Sequence, residues 1–501
     1  MKLTELLNTI HEYKATGDTE MDIRAIAYDS RKVRPGTLFV AMRGAAMDGH
    51  AFIRDAVQRG ASAVVLEEVP DEKIAIPVVR VSDSRRALSL IGLQFYRRPF
   101  QDMDLIGITG TNGKTTTSFL LESILLKAGM RPGVIGTINY RFSGFSRPAS
   151  VTTPESLDLI ELAREMADAA TTHIIMEVSS HGLVQGRTSD CVFRTAVFTN
   201  LSRDHLDYHM NMEEYFMAKS LLFRDLAQGS AAVINMDDSR GRVLAAMTKA
   251  KNIITYGIRG RWDVRMDSIL MDKNGIRAEL VTPSGRREIH SALIGEFNIY
   301  NILAASSAAL SLGVDIDAIA AGIESLAFVP GRMEAVRNCR DLTVVVDYAH
   351  TPDALQKALL NLRPCVQGRL ITVFGCGGDR DRGKRAEMGL IAGRESDLVF
   401  ITSDNPRSED PLSIVLEIEQ GILKSGMKKL ETPLTGEGLE TGYFTEPNRR
   451  EAIRRAISIA TRNDLVLIAG KGHEDYQIIG RERRHFDDRK EAALAAMEAA
   501  A

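Results

Sequence analysis

The chain has 501 residues, 44% apolar and 26% charged, an ordinary globular composition with room for about three domains at ~150 residues each. Its formal net charge of −3 argues against a nucleic-acid partner, which calls for a basic excess, and no apolar run approaches the ~20 residues of a membrane span or the core of a signal peptide. Cys191, Cys339, Cys365 and Cys376 make no C-x-x-C pair, so neither a zinc site nor a disulfide framework is indicated, and the expectation is a cytoplasmic monomer with no direct membrane insertion.

Residues 1–98 hold short strand-like runs at 37–41, 63–66 and 77–81, which predict a small α/β domain, and Arg97-Arg98-Pro99-Phe100 reads as a linker. From 99 to 329 the pattern becomes strand, glycine-rich turn, helix. A buried strand at 105–108 precedes a helix over 115–128, and apolar strands follow at 173–178, 196–199, 231–234 and 253–256. Strands alternating with helices predict a mainly parallel sheet in a P-loop ATPase-like domain. From 330 to 501 one unit recurs: strands at 342–346, 370–374, 398–402 and 465–469 each run directly into a polar cluster, a Rossmann-like α/β pattern. Ligands of open α/β sheets sit beyond the carboxyl ends of the strands. The clusters therefore read as one composite site, the alternative being ordinary turns and caps. Cys376, in the second cluster, reads as a small buried filler, and the basic run from Arg380 to Arg385 needs its own explanation.

The sharpest motif is Gly110-Thr111-Asn112-Gly113-Lys114-Thr115-Thr116, between a strand and a helix. Glycines let backbone N–H groups close on phosphate oxygens, and the helix N-terminus adds a favourable field. Lys114 supplies charge to the terminal phosphates, and the Thr115 hydroxyl suits magnesium. The loop is a shortened variant, with Ile108 at the usual first-glycine position. A glycine turn with a capping threonine is the bland alternative. A kinase, a GTPase switch and a ligase all use such loops, so the rest of the chain must decide.

Extended by Thr109, this loop resembles that of the Mur ligase family, which also includes folylpolyglutamate synthases. Glu177-Val178-Ser179-Ser180-His181-Gly182-Leu183 is similar to the family's second ATP and magnesium segment. Thr199-Asn200-Leu201-Ser202-Arg203-Asp204-His205-Leu206-Asp207 is similar to its metal-binding histidine segment. Gly295-Glu296-Phe297-Asn298 with Asn301, Gly331-Arg332-Met333-Glu334 and Asp347-Tyr348-Ala349-His350 complete the ATP set, so the resemblance spans nearly the whole chain. It implies that residues 110–116, Asn298, Arg332 and Asp347 bind ATP, and that Thr115, Glu177 and His205 hold magnesium. On chemistry alone His205 is equally a hydrogen-bonding residue, because magnesium prefers oxygen. Lys219 matches the lysine that carbon dioxide converts to a carbamate (N6-carboxylysine) in these ligases, a further oxygen donor for metal. By residue type alone, a solvent-exposed helix face is the ordinary reading. Lys114, Glu177, His205 and Lys219 form the implied catalytic set, while nearby His209 and His350 read as structural hydrogen-bonding residues.

The N-terminal string Asp29-Ser30-Arg31-Lys32-Val33-Arg34-Pro35-Gly36 resembles the family's uridine-binding signature, which makes Ser30 an implied contact to UDP. Arg31 and Lys32 serve the diphosphate or are solvated surface. Thr152, Thr153, Ser179, Gln185 and Arg187 match contacts to the sugar–peptide part. Arg380, Asp404, Asn405, Pro406, Arg407, Gly470 and Glu474 match contacts to meso-diaminopimelate. The implied reaction adds that amino acid to the D-glutamate side chain of a UDP-N-acetylmuramoyl-dipeptide through an acyl phosphate. Meso-diaminopimelate carries a distal carboxylate that lysine lacks, and a guanidinium meets a carboxylate with two charge-assisted hydrogen bonds. Asp404-Asn405-Pro406-Arg407 is expected to follow a strand and open a helix; capping, or pairing with Glu409 or Asp410, is the other reading of Arg407. Competing functions are an L-lysine-adding ligase, a folylpolyglutamate synthase-like ligase, and a nucleotide-operated switch or scaffold.

Overall fold

Continuous apolar runs form central strands buried on both faces, and the computed structural model, which describes residues 1–44, 47–70, 74–206, 208–272, 275–340, 342–430 and 441–499, gathers them into three α/β sheets. Asp207, which ends the histidine segment, lies outside the described residues. The first sheet orders its strands Lys14–Thr16, Val78–Arg80, Ala61–Leu66, Thr37–Val40 and Ala25–Ala27; only the first pairing is antiparallel. The chain then turns through Arg97 and Arg98, both at positive φ, into a 3-10 turn at Pro99–Asp102.

The central sheet has eight strands, ordered Asn252–Tyr256, Ala231–Asn235, Phe193–Phe198, Asp104–Thr109, His173–Glu177, Pro132–Ile135, Asn139–Phe142 and Phe145–Pro148. The first six are parallel and the last two form an antiparallel meander, so the sheet is mainly parallel as expected. Asp104–Thr109 lies at its middle, with Glu177 in register with Ile108 on one side and Phe198 with Thr109 on the other. The helix Lys114–Lys127 covers one face, its Leu120, Leu121, Ile124 and Leu125 wholly buried in a core shared with the helix Glu296–Ser311. A separate three-stranded antiparallel sheet, Arg265–Asp272, Gly275–Thr282 and Gly285–Ser291, packs on the same core; the sequence reading did not anticipate it.

The third sheet runs Glu334–Ala335, Thr343–Asp347, Leu465–Ala469, Leu370–Phe374, Leu398–Ile401 and Gly442–Thr445, parallel except for its first pairing. Leu465–Ala469 sits between Thr343–Asp347 and Leu370–Phe374, so the last of the four expected polar clusters is flanked by the first two. Arg449 and Asp488, both fully buried, lock the helices Arg449–Ile459 and Asp488–Glu498 beneath this edge through two hydrogen bonds of 2.8 and 2.6 Å. Removing one partner of such a pair costs about 3–5 kcal/mol, because the other charge is left buried alone. Among the described residues no helix is long and apolar enough to cross a membrane.

Candidate active site

The phosphate loop is shaped by its neighbours. Thr111 N–H donates to the Asn200 carbonyl at 2.8 Å and Asn112 N–H to Asn200 Oδ1 at 3.0 Å, while Thr199 Oγ1 donates to the Asn112 carbonyl at 2.6 Å. Gly110 has φ +147°, and a Cβ there would lie 1.9 Å from Thr199 Oγ1, so only glycine fits this approach. Gly113 precedes the first helical residue, Lys114, and Thr115 and Thr116 are buried in the first turn. Asn301 donates to Asn298 Oδ1 at 2.9 Å, and Asn298 Nδ2 donates to the Ile294 carbonyl at 2.8 Å. This chain of amides ends against the loop, with Asn301 Oδ1 close behind Gly113.

Two lysines converge on one carbonyl. Lys114 Nζ and Lys219 Nζ each donate to the Gly110 carbonyl at 2.9 Å, and Lys114 also reaches the Thr111 carbonyl at 2.8 Å. Lys219 is only 2% exposed and sits 4.3 Å above the Tyr215 ring, which overturns the exposed-helix-face reading. Its helix, Met212–Arg224, is fixed by Asn211, whose side chain accepts from Glu214 N–H at 2.9 Å; such a cap stabilises a helix by about 1 kcal/mol. Burial, then the neighbouring Lys114 charge, presses the Lys219 ammonium well below its ordinary pKa, against the pull of Asp204. Burial likewise lowers Lys114, opposed by Glu177 and Asp204. Both amines are therefore easier to deprotonate than a surface lysine.

Glu177 is almost fully buried at the end of its strand. Its Oε2 accepts from Thr115 Oγ1 at 2.9 Å and Thr137 Oγ1 at 2.8 Å, and its Oε1 from Thr137 N–H at 3.0 Å. Thr137 was not foreseen. A carboxylate and two hydroxyls at a phosphate-loop helix make a hard-oxygen set that fits magnesium. His205 lies at positive φ, about half exposed, with its Nε2 3.6 Å from Asp204 and its ring 5.1 Å from that of His181. Among the described residues no three His, Cys, Asp or Glu side chains gather for a metal ion. His209 is buried with Nε2 2.9 Å from Ser180 Oγ, and His350 Nδ1 lies 2.8 Å from the Tyr348 carbonyl, in keeping with structural roles.

Arg332 joins this loop to the third sheet. Its Nη2 donates to Thr115 Oγ1 at 3.3 Å and its guanidinium stacks 4.7 Å from the Tyr348 ring. Asp347 accepts from Met333 N–H at 2.8 Å and Ala349 N–H at 2.9 Å; burial raises its pKa, and Arg332 is the main counterweight. Asp353 adds a contact that sequence reasoning missed, accepting from Ser202 Oγ at 2.7 Å and Asn112 Nδ2 at 3.3 Å.

The expected sugar–peptide residues cluster beside Glu177. Thr153 Oγ1 donates to the Glu177 carbonyl at 2.9 Å and accepts from Ser179 N–H at 3.0 Å, and Thr152 Oγ1 is 3.2 Å from Thr137 Oγ1. Arg187 donates to the Thr153 carbonyl at 2.7 Å and to Gln185 Oε1 at 2.6 Å. Ser30 is set apart in the first sheet's domain, buried in the 3-10 turn Ser30–Lys32. Arg31 bonds Asp29, and Lys32 lies 3.4 Å from Asp158.

Three of the four strand-end clusters of the third sheet interlock into one site. Arg407 Nη1 donates to the Gly378 carbonyl at 2.6 Å, and Gly378 N–H donates to the Asn405 carbonyl at 2.9 Å. Asn405 Nδ2 donates to Glu474 Oε2 at 2.9 Å. A Cβ on Gly470, at φ +116°, would fall 2.5 Å from Asp404 Oδ2, so glycine permits this closure. The turn does not open a helix: Pro411–Ser425 starts four residues after Arg407, capped by Asp410. Proline at the first helical position and an acceptor before it fix that boundary, and Arg407 turns aside at φ 52°. Glu409 is taken by Arg385, whose guanidinium holds its carboxyl down to about 2, so the Arg407–Glu409 pairing is not formed. That explains the basic run: Arg382 and Arg385 clamp Glu409 and Glu417. Arg380 stays exposed, donating to the Asp379 carbonyl. Cys376 is buried against Met388, with its thiol pushed up to about 12 by burial, an inert filler. Lys471 was passed over in the sequence, yet it is fully buried among Asp404, Asn405 and Glu474.

Comparisons with known proteins identify the family. Residues 22–96 match the description Mur ligase family, catalytic domain; residues 108–309, Mur ligase middle domain; and residues 331–472, Mur ligase, glutamate ligase domain. The chain is 47% identical to the UDP-N-acetylmuramoyl-L-alanyl-D-glutamate--2,6-diaminopimelate ligase of Geobacter sulfurreducens, over 99% of this chain and 98% of that one. A solved structure of a ligase with the same name superposes with a TM-score of 0.70 at 33% identity, covering 100% of this chain and 99% of that one. The Mycobacterium tuberculosis folylpolyglutamate synthase complexed with ADP shares the fold, with a TM-score of 0.63 at 20% identity over 78% of this chain and 92% of that one. The chain belongs to the Mur ligase family.

Proposed function

We propose that this chain is an ATP-dependent ligase that joins meso-diaminopimelate to the D-glutamate side chain of UDP-N-acetylmuramoyl-L-alanyl-D-glutamate in peptidoglycan precursor synthesis, in the cytoplasm. The observation that carries the amino-acid assignment is the interlocked end of the third sheet, where Asn405 ties Glu474 to the turn bearing Arg407. A guanidinium and a carboxylate there suit a ligand end carrying both carboxylate and ammonium. The relative at 47% identity is named for the same amino acid.

In the first step a carboxylate oxygen of the substrate attacks the γ-phosphorus of ATP, the bond to the bridging oxygen breaks, and ADP leaves an acyl phosphate. Lys114 and the loop N–H groups hold charge that moves onto the departing diphosphate. Thr115 and Glu177 would hold a magnesium ion, with His205 and a carbamate on Lys219 as further ligands, and the ion would supply countercharge to the phosphates. Lys219 is set up for that modification, because a depressed pKa leaves more of the neutral amine that adds carbon dioxide, and the resulting anion would lie beside Lys114. In the second step the amine attacks the acyl carbon, the C–O bond to phosphate breaks, and the amide forms with loss of a proton. Such an intermediate must be shielded from water. Arg332 and Asp353, which link the third sheet to the phosphate loop, are placed to couple closure to ATP. Residues 1–98 hold the uridine end through Ser30, residues 99–329 bind ATP, and residues 330–501 bind the amino acid.

The test is ADP release by the purified protein with the UDP-dipeptide and a panel of amino acids. Release is expected with meso-diaminopimelate and not with L-lysine. Turnover that needs a folate and ignores the UDP-dipeptide overturns the reading, and no turnover with any acceptor favours a switch or scaffold.

A further inference from the structure

Lys471 is the one member of the interlocked cluster that the proposed reaction leaves without a role. Its side chain is fully buried, and Nζ donates to Asn405 Oδ1 at 3.0 Å and Glu474 Oε2 at 3.4 Å, with Asp404 Oδ1 at 3.6 Å. Asn405 is oriented from both ends: Oδ1 also accepts from Ile478 N–H at 3.0 Å, and Nδ2 donates to Glu474 Oε2 at 2.9 Å. Among the described residues the hydrogen bonds to the Glu474 carboxylate all meet Oε2, so its plane is fixed and Oε1 is the oxygen left to a ligand.

Burying an ammonium is costly unless charges and hydrogen bonds compensate it. A purely structural link could have been an amide. The charge sum gives a reason for the lysine. Asp404 and Glu474 contribute two negative charges, and Lys471 and Arg407 two positive ones, while the nearby Arg449 is cancelled by its ion pair with Asp488. A neutral set accepts an amino-acid centre carrying both ammonium and carboxylate without net penalty. With Lys471 removed, the set carries an uncompensated negative charge that repels the carboxylate and favours protonation of Glu474. Among the described residues the ionisable groups facing Glu474 are Lys471, Asp404, Tyr348, Tyr476 and the buried Arg449, and Lys471 is the one cation hydrogen-bonded to it.

We infer that Lys471 is a positioning and specificity residue for the amino-acid substrate, holding Glu474 ionised and the turn bearing Arg407 in place for the distal amino-acid centre. This rests on the diaminopimelate reading above. Burial already raises the Glu474 pKa, with Lys471 as the largest opposing influence, so losing Lys471 moves it further up.

The test compares the wild-type chain with Lys471→Met and Lys471→Gln in steady-state assays across pH. Both variants are expected to raise the KM for meso-diaminopimelate at neutral pH by about tenfold or more. The KM for the UDP-dipeptide should change by less than about twofold, because that site lies on other elements. The acid limb of kcat/KM for the amino acid should move to higher pH, so activity recovers as pH rises. With Glu474→Gln added, that displacement should vanish. An unshifted acid limb, a matching rise in the KM for the UDP-dipeptide, or failure of both variants to fold makes Lys471 a structural ion-pair member and overturns the inference. A wild-type chain that ignores diaminopimelate overturns the underlying reading, and this one with it.

Discussion

The buried lysines of the central loop and of the third sheet solve opposite problems. Lys114 and Lys219 share one backbone carbonyl, at 2.9 Å each, and the charge of Lys114 adds to burial in depressing the pKa of Lys219. Lys471 is buried as deeply, yet carboxylates stand on two sides of it. The first arrangement is under-neutralised and suits a polyanion such as a triphosphate; the second is self-neutralised and suits a zwitterion. On the proposed reading, this contrast puts ATP at the first arrangement and the amino acid at the second.

The sharpest way to break this contrast is at Lys114. Lys114→Ala should lower ADP release by about 10³-fold, because a charge aimed at the transferring phosphoryl group is lost. Circular dichroism and the melting temperature should stay close to wild type. Turnover near the wild-type level would place the phosphate charge elsewhere. Lys219 comes next: Lys219→Ala should cost about 10²-fold, with partial recovery when a short carboxylic acid supplies the missing anion. Intact-mass measurement of wild type should find the carbamate adduct, whose occupancy grows as pH rises through the depressed pKa and disappears on acidification. Full activity of the alanine variant without added acid would remove Lys219 from the catalytic set.

Arg407 tests the other end. Arg407→Ala should erase discrimination between meso-diaminopimelate and L-lysine, a change of about 2–3 kcal/mol or roughly 30- to 150-fold in the ratio of kcat/KM. ATP affinity should hold. If preference is unchanged, the carboxylate is recognised elsewhere and the zwitterion argument fails even though ligase chemistry stands.

What could be read in advance divides along the same line. The phosphate-loop motif is local: its seven consecutive residues run from a strand end into the first turn of a helix, so their order was enough to find it, although Thr199 and Asn200 help to hold its shape. Strands buried on both faces were equally legible, and Leu370–Phe374 and Leu465–Ala469 fall where the apolar runs placed them. The antiparallel sheet at 265–291 was not, because its strands mix buried and exposed positions and carry arginines on the open face. Lys471 stood in plain sight within Gly470-Lys471-Gly472-His473-Glu474, but the carboxylate of Asp404 that helps compensate it lies 67 positions away, and nothing local tells a buried lysine from a solvated one. The end of the Asp404-to-Arg407 turn was misread for the opposite reason: Asp410-Pro411 is a strong helix start, and it should have outweighed the nearer Pro406.

The smallest expected effect concerns the uridine end, and the structure changes how it should be tested. Removing residues 1–98 looks like a clean excision, yet Leu157 of the central segment is buried within the first domain's core. Tyr28 and Lys32 both reach Asp158, and Arg85 pairs with Glu155, all on the helix Ser156–Asp168 or its cap. Truncation would expose that apolar surface and strand those carboxylates, so lost affinity would report damage as well as a missing contact. Ser30→Ala is the gentler probe. The residue is buried and the side chain is small, so removing its hydroxyl changes little volume. If Ser30 contacts the uridine, calorimetry should find affinity for the UDP-dipeptide weakened by about fivefold, the ~1 kcal/mol of one neutral hydrogen bond. Affinity for ATP and kcat at saturating substrate should be unchanged, because the phosphate loop shares no partner with Ser30. An unchanged affinity would leave Ser30 as a structural residue and move the search for the uridine contact to other residues of the first domain.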